Sequence, residues 1–138
     1  MDQYLQDLTY VIRNCSMDNT YKMVWIRSIV ETCVLEPDFE EIHFDQLSRK
    51  IFGYYWNQTI FFDLEQCPNR NKRPEIYQIV KEKVNEYRSQ FGYQPVYFSK
   101  IEDKVSIPSK RISTVLKKEV TGSNPVGCAI FLFVYKSL

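Results

Sequence analysis

The chain predicts a mainly α-helical fold, about five helices packed around one aromatic-rich central helix, with at most one short β-hairpin. Three observations carry this. Residues 43–66, HFDQLSRKIFGYYWNQTIFFDLEQ, form the longest apolar-patterned run. Four other segments repeat apolar side chains at three- and four-residue steps, the spacing of one helical face. Only 4 Gly and 6 Pro occur in 138 residues, with 15% aromatic content, a composition of packed bodies and not of disordered or repeat chains. That length suits one domain with its own core. The helical domain is expected over residues 1–120, and residues 121–138 read as an apolar tail.

Residues 2–14 place Tyr4, Leu5, Leu8, Val11 and Ile12 on one helical face. Asn14, Ser16, Asp18 and Asn19 interrupt the pattern. Either Asp18 or Asn19 then caps a second helix, TYKMVWIRSIVETCVLE, which Pro37 ends. Its inner face is expected to carry Met23, Ile26, Val30, Cys33 and Val34, widened by Trp25 and Ile29. In the central helix His43 is the starting residue, with Asp45 and Gln46 in the first turn in the manner of a capping box. Phe44, Leu47 and Ile51 recur on one face, and from Phe52 to Leu64 the apolar residues extend nearly all round, so this half needs cover on most sides. Gly53 costs this helix about 1 kcal/mol relative to Ala, which suggests a close packing contact or a bend.

QCPNRNKRP, residues 66–74, is a loop by composition. Pro74 and Glu75 open the next helix, Ile76, Ile79, Val80, Val84, Tyr87 and Phe91 form its inward face, and Gly92 stops it. VYFSKIEDKVSI, residues 96–107, reads as two short strands about a polar turn. Pro108 and Ser109 then start a last helix with Ile112, Val115 and Leu116 inward and Lys110, Arg111, Lys117 and Lys118 outward. In the tail, ten consecutive residues from Val126 to Tyr135 carry no charge. A membrane helix needs about 20 such residues, so the tail reads as a buried strand or an adhesive extension.

The opening MDQYLQDLTYVIRN has acids where a signal peptide has a basic region, so a cytoplasmic protein with no membrane partner is expected. Cys15, Cys33, Cys67 and Cys128 show no Cys-x-x-Cys pair, and His43 is the sole histidine. Neither a zinc site nor a disulfide framework follows, and no metal or other cofactor is expected. Net charge is +1 but unevenly spread: residues 1–66 hold 5 basic and 11 acidic side chains, residues 67–120 hold 12 and 6.

TYKMVWIRSIVE, FDQLSRKIFGYYWNQTIFFDLEQ and NRNKRPEI, in that order and spacing, resemble the N-terminal region of a bacterial family of HNH endonucleases. The resemblance covers roughly residues 1–120, and its most specific piece is Tyr54-Tyr55-Trp56-Asn57-Gln58. It implies a helical region that precedes a cleaving module in which His and Asn side chains bind a divalent metal and activate water. This chain departs from that pattern: the module is absent and one histidine cannot build its site. No catalytic residue is therefore expected. Gly122-Ser123-Asn124-Pro125 resembles a translated tRNA T-arm, which suggests that the tail derives from a tRNA gene, a common integration site of mobile elements.

Two kinds of site remain. Asp38, Glu102 and Lys104 are similar to the carboxylates and lysine of PD-(D/E)xK nucleases, where two carboxylates hold Mg²⁺ and Lys orients water, but Asp38 follows a helix instead of lying on a strand. Arg70, Lys72 and Arg73 in the loop, with Lys110, Arg111, Lys117 and Lys118 on the last helix, suit phosphate contact if one face collects them. The leading expectation is thus a non-catalytic recognition or scaffolding module of a truncated, HNH-endonuclease-like defence protein that binds DNA weakly and without sequence preference. One alternative is a small protein–protein interaction factor of a mobile genetic element, acting through the acidic half or the tail. The other is a metal-dependent nuclease using Asp38, Glu102 and Lys104.

Overall fold

In a computed structural model, the structure describes Gln3, Gln6, Thr9, Tyr10, Arg13, residues 21–36, residues 42–64, Asn71 and residues 74–121. Gln3, Gln6, Thr9, Tyr10 and Arg13 are helical, while Tyr4, Leu5, Leu8, Val11 and Ile12, the face predicted for the first helix, lie outside the described residues. Four further helices have defined bounds: α1 (Tyr21–Leu35), α2 (Phe44–Phe62), α3 (Glu75–Phe91) and α4 (Ser109–Thr121). A single 3₁₀ turn, Phe98–Lys100, lies between α3 and α4. Every one of these elements touches α2.

The central helix is held at its start as the sequence suggests. Gln46 Oε1 accepts the His43 backbone N–H at 3.1 Å, satisfying one of the donors that a helix start leaves open. The helix ends earlier than predicted, at Phe62. Asp63 takes a left-handed conformation (φ 46°) and its N–H closes on Thr59 O at 3.0 Å, a state that a short polar side chain tolerates better than a bulky one. The Asp63 carboxylate accepts the Tyr77 hydroxyl at 3.2 Å and the Lys81 ammonium at 3.4 Å, so this stop is tied to α3. Phe62 and Leu64, expected under cover, are exposed because the chain turns away there.

α3 runs antiparallel to α2: Tyr77 sits by Asp63 at one end and Tyr87 packs edge-on against Trp56, ring centroids 5.5 Å apart, toward the other. α4 is also antiparallel to α2, because Ser113 meets Ser48 (3.1 Å between hydroxyls) and Lys117 lies over Phe44. The predicted inward residues of α3 are buried except Phe91, which is exposed in the last turn and stacks on Tyr87. Gly92 ends α3 at φ 98°, a conformation glycine adopts without strain.

The hairpin expected over residues 96–107 is not formed; this stretch contains a 3₁₀ turn and a second turn, and no strand. Phe98 and Ile101, three residues apart, are the buried side chains, and that spacing belongs to one turn of helix, not to alternating strand faces. Backbone bonds Lys100 N–H to Tyr97 O, Ile101 N–H to Phe98 O and Lys104 N–H to Ile101 O consume the groups a ladder would have used. The segment is fastened to α2 instead. Trp56 Nε1 donates to Val96 O at 3.1 Å, Asn57 Oδ1 accepts the Phe98 N–H at 2.9 Å, and the Phe98 ring lies against Gly53.

α1 also differs from expectation. Its inward residues are Val24, Trp25, Ile26, Ser28, Ile29 and Thr32, whereas Met23, Val30, Cys33 and Val34 point outward. Apolar residues surround this helix, so periodicity alone does not fix which arc faces inward; Trp25, edge-on to Phe44 at 6.1 Å, decides it. Across the α1–α2 contact, Arg27 pairs with Glu31 at 2.8 Å and lies 4.4 Å over the Tyr54 ring, and the Tyr54 hydroxyl donates to the Glu31 carboxylate. Burial and that bond push the Tyr54 phenol up to about 12, and the hydroxyl's donation, followed by Arg27, holds Glu31 below its usual range.

Two predictions follow from this packing. Trp56 is 0% exposed, so Trp56→Ala should destabilise by about 3–5 kcal/mol in urea denaturation. At Gly53 an added Cβ would lie 2.8 Å from Phe98 Cδ1. Gly53→Ala should therefore lower stability although Ala is the better helix former by about 1 kcal/mol, since overpacking costs roughly 1–3 kcal/mol; a stabilised variant would show that Phe98 moves aside freely. A third concerns pH. Glu31, with a lowered folded pKa, contributes stability above a free glutamate's 4.5 that is lost as pH falls through the folded value. Tyr54, with a raised one, contributes below 10.0 what is lost as pH rises toward about 12. Tyr54→Phe should flatten both limbs of the stability–pH curve, and an unchanged curve would remove the network from the account.

Candidate nucleic-acid interface

The last helix sorts its side chains cleanly. At about 100° per residue, Lys110, Arg111, Thr114, Lys117 and Lys118 fall within about 120° of arc. Ile112, Ser113, Val115 and Leu116 are buried on the opposite side. Lys110 to Lys118 spans eight residues, about 12 Å of axis. The core thus dictates the cationic face: once Ile112 and Leu116 turn inward, all four cations must turn out. At the amino end, Ile107, Pro108, Ser109, Lys110, Arg111 and Thr114 line an open depression of about 650 Å³.

The four cations are not equivalent. Arg111 Nη1 lies 2.8 Å from Glu82 Oε2 on α3, and each group's hydrogen bond to the other raises the guanidinium pKa and lowers the carboxyl's. Lys117 Nζ lies 5.4 Å over the Phe44 ring, an electrostatic attraction to the ring face. Among the described residues no acidic side chain pairs with Lys110 or Lys118, and both are exposed. Glu82 is the residue that sequence reasoning missed. Nothing local announces it, because its pairing depends on α3 and α4 lying side by side. Thr114 was missed as well, although its place four residues from Lys110 puts it on the same arc.

Arg70, Lys72 and Arg73 lie outside the described residues. Their chain joins α3 at Pro74, and the next residue, Glu75, is near enough to Arg111 to raise its pKa further. The start of α3 and the amino half of α4 are therefore neighbours.

Of the nuclease-like residues, Glu102 and Lys104 fall among those described. Glu102 and Lys104 sit in the turn after the 3₁₀ segment, not on strands. Arg49 Nη2 donates to Glu102 Oε2 at 2.6 Å and the Lys104 ammonium lies 5.6 Å over the Phe91 ring, while Asp38 lies outside the described residues. Among the described residues no group of three or more His, Cys, Asp or Glu side chains could hold a metal ion. His43, at the start of α2, is exposed. No described helix is long and apolar enough to cross a membrane. Compared with protein families, characterised proteins and solved structures, the chain has no significant match.

Proposed function

We propose that this chain is a non-catalytic helical recognition module, akin to the N-terminal region of HNH-endonuclease-like defence proteins, that holds duplex DNA weakly through its phosphates. The observation that carries the reading is the α4 surface, where four cations share one arc opposite the core. Lys110 and Lys118 are the principal contacts because neither is engaged by a described acid. Arg111 and Lys117 act less, since binding a phosphate would compete with Glu82 and Phe44. Lysines on a helix surface position a duplex and carry no base code, so binding is sequence-tolerant. The resemblance to HNH endonucleases rests on the motifs quoted from the sequence, and the loop cations Arg70, Lys72 and Arg73 extend the proposed surface.

The test is the salt dependence of duplex binding by the full chain. Each phosphate contact contributes about −0.9 to the slope of log K against log salt. Charge reversal at Lys110 and Lys118 together should flatten the slope by roughly 1.8. Arg111→Glu alone should change it less, whereas Glu82→Gln, which frees the guanidinium, should steepen it by up to about 0.9. Equal effects on unrelated DNA sequences are expected. Undetectable binding at low salt, or a slope indifferent to Lys110 and Lys118, would end the proposal. Incubation with Mg²⁺ or Mn²⁺ should leave the DNA intact; cleavage abolished by Glu102→Ala would replace this reading with the nuclease one.

A further inference from the structure

Among the described side chains of α4, five are exposed. Four are the cations Lys110, Arg111, Lys117 and Lys118, and the fifth is Thr114. At about 100° and 1.5 Å per residue, Thr114 is the centre of the group in both directions. Lys110 and Lys117 lie about 40° and 60° to one side of it around the helix, and Lys118 and Arg111 lie about 40° and 60° to the other. Along the axis two cations precede it and two follow, all within about 6 Å. We propose that α4 lies lengthwise in the major groove of duplex DNA and that Thr114 is its base-contacting residue, its methyl meeting the C5 methyl of thymine. The inference rests on the duplex-binding reading above and adds to it the groove and the base.

Three features favour this arrangement. The first is charge on both flanks. The major groove, about 12 Å wide, admits an α-helix, and cations on either side of Thr114 then face the phosphates of the two strands. Lys110 and Lys118, the two that no described acid pairs with, fall on opposite flanks. The second is side-chain length. The flanking lysines and arginine are long and the central threonine is short, so a helix held by its flanks brings its centre close to the groove floor. The third is the state of the Thr114 hydroxyl. It donates to Lys110 O at 2.9 Å, which turns Oγ1 back along the helix and leaves the methyl as the end presented outward. A side chain so arranged offers an apolar contact, and thymine is the base that carries a methyl in the major groove. An RNA duplex does not suit the same arc, because its major groove is too deep and narrow for side chains to read. One methyl contact adds a small preference to binding that phosphates dominate, so unrelated sequences are still bound.

The test compares a duplex made of A·T pairs alone with the same duplex in which deoxyuridine replaces every thymidine, a change that removes only the C5 methyl groups. The full chain should bind the thymine duplex about fourfold more tightly, the worth of one buried methyl-sized group. Thr114→Ser, which keeps the hydroxyl and loses the methyl, should bring that ratio to about one, whereas Thr114→Val should retain it. Neither substitution touches a phosphate contact, so the salt slope should stay that of the parent chain. A ratio near one in the parent chain would overturn the inference. So would a ratio that Thr114→Ser leaves intact, since it would report the shape of the groove and not a contact. In both cases a slope that still answers to charge reversal at Lys110 and Lys118 would leave the phosphate reading standing, while undetectable binding would end both.

Discussion

The fit of the Phe98 ring against Gly53 is the constraint on which the arrangement depends. α2 is buried over most of its circumference, and its neighbours must supply that cover without leaving voids, since interiors pack to crystal-like density. Beside Gly53 the nearest cover is the Phe98 ring, from the irregular segment between α3 and α4. A missing Cβ lets the Phe98 ring approach the α2 backbone, and Phe52 and Trp56 close around it at 5.3 and 6.1 Å. The weak helix former in the centre of the longest helix thus has a packing reason. The segment that carries Phe98 leads on to α4.

Polar groups at the edges of this core are arranged consistently with it. Trp56 Nε1 donates to the Val96 carbonyl and Asn57 Oδ1 accepts the Phe98 N–H, which satisfies the indole and the first backbone N–H of the 3₁₀ turn. Asp63 stops α2 and is received by Tyr77 and Lys81. The Ser48–Ser113 hydroxyl contact, buried between α2 and α4, favours their register, because a displaced partner would strand a polar group in an apolar contact.

Electrostatics divides the surface cations into those already engaged and those open to a partner. Arg27, Arg49 and Arg111 each form an ion pair within the fold. Exposed pairs of this kind contribute little to stability, but they change what a charge does. An arginine whose guanidinium is held by a carboxylate must lose that contact to meet a phosphate. Of the candidate cations among the described residues, Arg111 and Lys117 are engaged by Glu82 and Phe44, whereas no described acid pairs with Lys110 or Lys118.

Local chemistry in the sequence determined the helices and several of their ends: Gln46 three residues after His43, Pro74 before Glu75, and Gly92 after Phe91 are signals that need only neighbouring residues. The same holds for α4, where one polar arc and one apolar arc leave a single choice of inward face, so its cations were placed correctly from spacing alone. α1 is the contrary case. With apolar residues all round, its orientation was set by Trp25 meeting Phe44, a contact between separate helices that no local period encodes. Residues 96–107 show the same limit, since β-prone side chains there are overruled by the space beside Gly53. Glu82 opposite Arg111 likewise exists only once α3 and α4 lie together. Short-range patterns fix periodicity and capping, which depend on a few neighbours; which apolar arc is buried, and which charges meet, depends on the residue brought up from elsewhere in the chain, and only the tertiary structure supplies that.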